Sequence, residues 1–166
     1  MTKAEKKKRL SLIVERLKEM YPEAECALHY GGDPWKLLVM GRLSAQCTDA
    51  RVNIVTPNLF KKFPTPEKMG NAKVEEVEQL IKSCGLYKTK AKDLVALGKV
   101  LYEKYNSELP NTLEELIKLP GIGRKTANLI CGDVFGLPAV VADTHLIRIS
   151  NRLGLVSTRD PKAVEL

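Results

Sequence analysis

No two cysteines in this chain are spaced as C-x-x-C; the four, Cys26, Cys47, Cys84 and Cys131, lie far apart. That spacing argues against a zinc knuckle, a dithiol redox motif or a local iron–sulfur site. It favours reduced, mostly buried thiols in a cytoplasmic protein, with no metal ligand set of its own. No apolar run approaches the roughly twenty residues of a membrane span, so no membrane partner is expected. The N-terminus, Met-Thr-Lys-Ala-Glu-Lys-Lys-Lys-Arg-Leu, is charged and carries no apolar stretch with a cleavage site, so it is not a secretory signal. Internal repeats, low-complexity linkers and sustained strand alternation are also missing, which leaves an all-α fold.

What is present is a normal globular balance, 44% apolar and 28% charged over 166 residues, enough for one ordinary domain or two small ones. A net charge of +7 and a pI of about 9.2 favour a polyanionic partner.

Helical periodicity organises the chain. Residues 3–20 place Leu10, Ile13, Val14, Leu17 and Met20 on one face, as in a surface helix docking on a core. Asp33-Pro34 supplies a cap and a first-position proline for the next helix, and Asp49 is a candidate cap for a third, which Pro57 should kink or split. Residues 73–84 form another amphipathic helix, closed by Gly85. The lysines of Leu86-Tyr87-Lys88-Thr89-Lys90-Ala91-Lys92 suit a solvated face or a track for a phosphate backbone. Asp160-Pro161 opens a single turn that ends at Leu166. One turn is not stable alone, so the chain looks cut off there.

The most informative stretch runs from Thr112 to Phe135. Thr112 followed by Glu115 is a capping-box signature for a short helix, and Lys125–Phe135 reads as a second helix stopped by Gly136 and Pro138. Between them lies Pro120-Gly121-Ile122-Gly123, a tight hairpin. Such a hairpin points unpaired backbone N–H groups outward at a helix N-terminus, where a phosphate is favoured. Lys125 in the first turn is then a candidate nucleophile for a sugar or carbonyl carbon. By themselves these residues also suit an ordinary glycine turn with a solvated lysine. Asp143 lies 18 positions further on, before Thr144-His145, and is either a plain helix cap or the carboxylate partner of the amine.

Leu119–Asn128 together with Val141-Ala142-Asp143-Thr144-His145 resembles the helix-hairpin-helix and Gly-Pro-Asp loop of the endonuclease III family. Ser44-Ala45-Gln46-Cys47-Thr48-Asp49 and Gly85-Leu86-Tyr87-Lys88-Thr89-Lys90-Ala91 match two further family motifs in the right order. The resemblance implies a bifunctional DNA glycosylase and abasic-site lyase acting on double-stranded DNA with damaged bases or abasic sites. It implies a cytoplasmic, nucleoid-associated monomer. Lys125 would be the Schiff-base nucleophile and Asp143 its carboxylate partner. Gln46 and Leu86 would fill the space left by an extruded base. Gly121, Gly123 and Arg124 would hold phosphates, and His145 would face DNA. A monovalent cation on the carbonyls of Ile117, Leu119 and Ile122 is also implied.

The resemblance further implies a six-helix barrel domain over residues 25–137, carrying the helix-hairpin-helix at 112–135. Residues 1–24 and 138–166 would form a discontinuous, incomplete second domain. Family members of this type usually end in four cysteines that ligate a 4Fe–4S cluster; this chain stops before that region, so no cluster is expected in it. A related glycosylase that removes adenine from mispairs lacks a lysine at the place of Lys125, which favours oxidised pyrimidines as substrates here. The remaining alternative is a non-catalytic DNA-binding module that keeps the hairpin.

Overall fold

A computed structural model describes residues 2–166, and every regular element among them is a helix, the all-α class expected. In chain order these are α1 (Lys3–Met20), α2 (Pro34–Leu43), α3 (Asp49–Lys62), α4 (Pro66–Gly70), α5 (Val74–Ile81), α6 (Tyr87–Tyr105), α7 (Leu113–Leu116), α8 (Arg124–Asp133), α9 (Thr144–Arg152) and α10 (Pro161–Glu165). None is long and apolar enough to cross a membrane. Backbone contacts divide the chain into two compact units, Ala27–Val140 and a discontinuous one made of the segment ending at Cys26 with Val141–Leu166.

The larger unit is built on α2. Asp33 caps it, its Oδ1 accepting the N–H of Trp35 at 3.0 Å and of Lys36 at 3.3 Å, and Pro34 opens the first turn. Leu37, Leu38, Val39, Met40 and Leu43 are all fully buried. A helix apolar on every side must be surrounded. Its neighbours supply Val52 and Leu59 from α3, Leu94, Leu97 and Leu101 from α6, and Ala127 and Ile130 from α8, while Met69 of α4 and Val77 and Ile81 of α5 extend the core on the α6 side.

Two local expectations change in detail. Thr48, not Asp49, caps α3, its hydroxyl accepting the Arg51 N–H at 3.3 Å, while Asp49 becomes the first helical residue. A carboxylate there still suits the positive end of the helix dipole. Pro57 does not split α3. It lies on the exposed side, where water can satisfy the Asn53 carbonyl left without its helical partner, and the adjacent Thr56 hydroxyl donates to the Val52 carbonyl at 2.9 Å.

Lys90 departs most from its sequence reading. Lys88 and Lys92 are exposed, but Lys90 is fully buried, and its Nζ donates to the Leu43 carbonyl at 2.7 Å. The helical period explains this: Lys90 shares the inward face of α6 with Ala91, Leu94, Leu97 and Leu101. A cation at the last turn of α2 meets the negative end of that helix. Burial lowers the Lys90 pKa, partly opposed by the Cys47 and Cys84 sulfurs beside it.

In the smaller unit, Asn151 ties α9 to the approach to α10, its Nδ2 donating to the carbonyls of Ile147 and Thr158, each at 2.8 Å. None of the residues of α1 is buried, and Leu10, Leu12, Val14, Leu17 and Met20 remain exposed.

The buried amine has two measurable consequences. Lys90→Ala leaves a cavity and an unpaired Leu43 carbonyl, so urea unfolding should show a loss of about 2–5 kcal/mol. Because the folded-state pKa lies below the unfolded one, the unfolded chain holds more protons between the two values, and stability rises with pH across that window. Wild type should therefore gain stability relative to Lys90→Met as pH climbs toward the ordinary lysine range.

Candidate functional site

The hairpin grows from a single helical turn. Thr112 caps α7, its hydroxyl accepting the Glu115 N–H at 3.3 Å. The expected capping box is only half formed. The Glu115 carboxylate instead accepts the Tyr105 hydroxyl at 2.8 Å and the Lys118 ammonium at 2.6 Å, and the Lys118 contact is the larger cause that holds its carboxyl below the usual range. From there the chain tightens: Leu119 N–H donates to Leu116 O and Ile122 N–H to Leu119 O, both at 3.1 Å. Leu116, Leu119 and Ile122 are buried and anchor the turn to the core.

The two hairpin glycines do different work. Gly121 has φ 71°, in the left-handed region that side chains disfavour. A Cβ there would also meet Arg42 Nε at 2.7 Å and Asp93 Cβ at 2.7 Å. Those two side chains form a part-buried ion pair across α2 and α6, with Arg42 Nε and Nη2 donating to Asp93 Oδ2 at 2.9 and 2.6 Å. The turn therefore rests directly on that pair. Gly123 has φ −93°, which any residue tolerates, and a Cβ there would meet nothing within 4 Å. It is the N-cap of α8 and makes no side-chain cap. The absence of a side chain leaves the first-turn amides of α8, which have no intrahelical acceptor, uncovered for an anion.

Lys125 lies one residue inside that helix start and is exposed; Arg124 beside it is half-buried. On the inner side, Thr126 touches Gly41 of α2, with its Oγ1 3.5 Å from the Gly41 carbonyl.

Gln46 and Leu86 occupy neighbouring turns of the same unit. Both are exposed and both have left-handed backbones, φ 52° and 58°. Only two other non-glycine residues among those described share that conformation, Asn106 and Ser107. Gly85 permits the approach: a Cβ on it would stand 2.9 Å from the Gln46 carbonyl. Strained backbone held by its surroundings clusters at functional sites. In the smaller unit, Asp143 caps α9, its Oδ1 accepting the Leu146 N–H at 2.7 Å, and His145 is exposed.

A 4Fe–4S cluster needs four thiolates gathered in one place. Among the described residues no three His, Cys, Asp or Glu side chains gather so, so the residues present do not fit that group. At the hairpin, the Leu119 carbonyl already accepts the Ile122 N–H, leaving one lone pair for a cation.

Sequence reading missed Arg42, Asp93 and Lys90. The signal for Lys90 was its place in the apolar period of α6. Arg42 and Asp93 carried no local signal, because they meet only when α2 and α6 pack.

Residues 39–166 match the family model described as HhH-GPD superfamily base excision DNA repair protein. Endonuclease III of Bacillus subtilis is 46% identical over 92% of this chain and 69% of its own length. That of Synechocystis is 44% identical over 98% of this chain and 74% of its own length. A solved structure of a trapped endonuclease III–DNA covalent intermediate superposes with a TM-score of 0.90 at 44% identity, covering 96% of this chain and 75% of that one.

The contrast between the glycines is testable by thermal unfolding. Gly121→Ala should cost about 1–2 kcal/mol for its left-handed backbone alone, and more through the displaced Arg42–Asp93 pair. Gly123→Ala should lower the melting temperature much less, by the equivalent of about 1 kcal/mol or below, because alanine is only a poorer N-cap than glycine.

Proposed function

The chain belongs to the endonuclease III family of the HhH-GPD superfamily, DNA glycosylases of base excision repair, and from that premise we propose a bifunctional glycosylase and abasic-site lyase that removes oxidised pyrimidines from duplex DNA. The observation that carries this reading is the exposed primary amine of Lys125, two residues past an N-cap that has no side chain. A phosphate drawn to the bare amides of α8 brings a sugar carbon toward that amine. That a similar endonuclease III was trapped as a covalent intermediate with DNA supports covalent chemistry on DNA.

In the reaction, Lys125 Nζ attacks C1′ of the damaged nucleotide, and the base leaves with a proton as the glycosidic bond breaks. The sugar ring opens to a protonated Schiff base. Loss of a proton from C2′ then expels the 3′ phosphate by β-elimination, and water hydrolyses the Schiff base to free the lysine. Asp143 takes the proton from Lys125 and offsets the positive charge developing on the sugar, its orientation set by the Leu146 amide.

Extruding a base costs a few kcal/mol of stacking and pairing. Gln46 and Leu86 recover part of that by entering the duplex in its place. Arg124 and the amides around Gly121 and Gly123 hold phosphates, and His145 faces the DNA. A monovalent cation on the carbonyls of Ile117, Leu119 and Ile122 would steady the hairpin. The chain acts as a monomer on the cytoplasmic nucleoid.

Borohydride reduction in the presence of an abasic-site duplex tests the reading. Wild type should give a covalent protein–DNA adduct, Lys125→Gln none, and Asp143→Asn one formed roughly 10²–10⁴-fold more slowly. An adduct that persists in Lys125→Gln would contradict the assignment. Salt-dependent duplex binding with no wild-type adduct would leave a DNA-binding module without chemistry.

A further inference from the structure

Cys47 and Cys84 are far apart in sequence, and neither has a part in the chemistry above, yet the fold brings them together. Cys47 is among the groups that act electrostatically on the Cys84 thiol, and Lys90 lies close to both. The backbone agrees: Gly85, next to Cys84, lies against the carbonyl of Gln46, next to Cys47, at a separation that leaves no room for a Cβ. Lys90 fixes one side of this contact, since its ammonium is bonded to Leu43, shortly before the Cys47 turn. A disulfide requires Cα atoms within roughly 4.4–6.8 Å and side chains that face each other. The close approach of Gly85 to the Gln46 carbonyl, each one residue from a cysteine, places the two thiols for such a bridge.

The pair is also asymmetric. Cys84 is buried and Cys47 half-buried. Burial, reinforced by Cys47, pushes the Cys84 thiol up to about 11, against a smaller opposite pull from Lys90 and Arg51. Cys84 therefore stays protonated and sheltered near neutral pH, while Cys47 is the sulfur that a small oxidant reaches first.

The geometry points to Cys47 and Cys84 as an oxidisable pair whose disulfide clamps together the turns that carry Gln46 and Leu86. With hydrogen peroxide as oxidant, the Cys47 thiol takes up one oxygen to become a sulfenic acid and releases water. The Cys84 sulfur then attacks the Cys47 sulfur; the S–O bond breaks, and the hydroxyl leaves as a second water with the Cys84 proton. A dithiol reductant reverses the bond. Gln46 immediately precedes one end of the bridge and Leu86 follows the other by two residues, both on strained left-handed backbone. A covalent tie between the two turns removes the freedom they need to part around a duplex. This consequence for activity rests on the base-excision reading; the disulfide itself does not.

The test treats the 166-residue chain with hydrogen peroxide, blocks remaining thiols with iodoacetamide, and maps tryptic peptides without reduction. The expected product joins the Cys47 peptide to the Cys84 peptide, disappears with dithiothreitol, and fails to form in Cys47→Ser or Cys84→Ser. Cys47 found as sulfinic acid beside an alkylated Cys84, or a bridge through Cys26 or Cys131, overturns the pairing. In parallel, incision of an abasic-site duplex by oxidised wild type should fall roughly tenfold to a hundredfold, recover with dithiothreitol, and stay insensitive to peroxide in Cys84→Ser. Equal incision by oxidised and reduced wild type overturns the clamp. A reduced wild type that never incises refutes the base-excision reading, and the peptide map still decides the pairing.

Discussion

The ion pair between Arg42 and Asp93 is the interaction on which the candidate site rests. It joins α2, the helix buried on every side, to α6, the longest helix, and its atoms lie where a Gly121 side chain would be. A charge-assisted hydrogen bond of this kind contributes about 1.5–3 kcal/mol. Position matters more than magnitude here. By occupying the space beneath Gly121, the pair sets the height of the hairpin over the core, and the hairpin sets where α8 begins. The uncovered amides and the Lys125 amine follow from that start.

The same logic joins the second cluster of the larger unit to the first. Lys90 lies on α6 one turn before Asp93 and grips the end of α2 at Leu43, next to Arg42. Two polar links between the same pair of helices therefore flank one stretch of α2. One supports the glycine hairpin, and the other supports the turns of Gln46 and Leu86. The strained backbones of those residues persist because the contact between Gly85 and the Gln46 carbonyl holds them in place.

Local chemistry was legible in the sequence wherever one residue decides one feature. Asp33, Thr112 and Asp143 cap the helices they precede, and the glycines of the hairpin turn the chain where their spacing says. The helical class and the family motifs were readable for the same reason. What escaped sequence reading depends on distant partners. Glu115 abandons its capping box because Tyr105 and Lys118 offer its carboxylate stronger bonds. Lys90 looked solvated among its lysine neighbours until packing chose its face. The approach of Cys47 to Cys84, like that of Arg42 to Asp93, exists only once helices from separate parts of the chain meet.

A direct measurement on the account is the affinity of Asp93→Ala for an abasic-site duplex, taken at fixed salt where the variant is shown to be folded. Removing a carboxylate from a basic protein should, on charge alone, strengthen its hold on a polyanion. The account predicts the opposite sign, a loss of about tenfold, or about 1.4 kcal/mol, because the hairpin loses its support. An affinity equal to or tighter than wild type would contradict it.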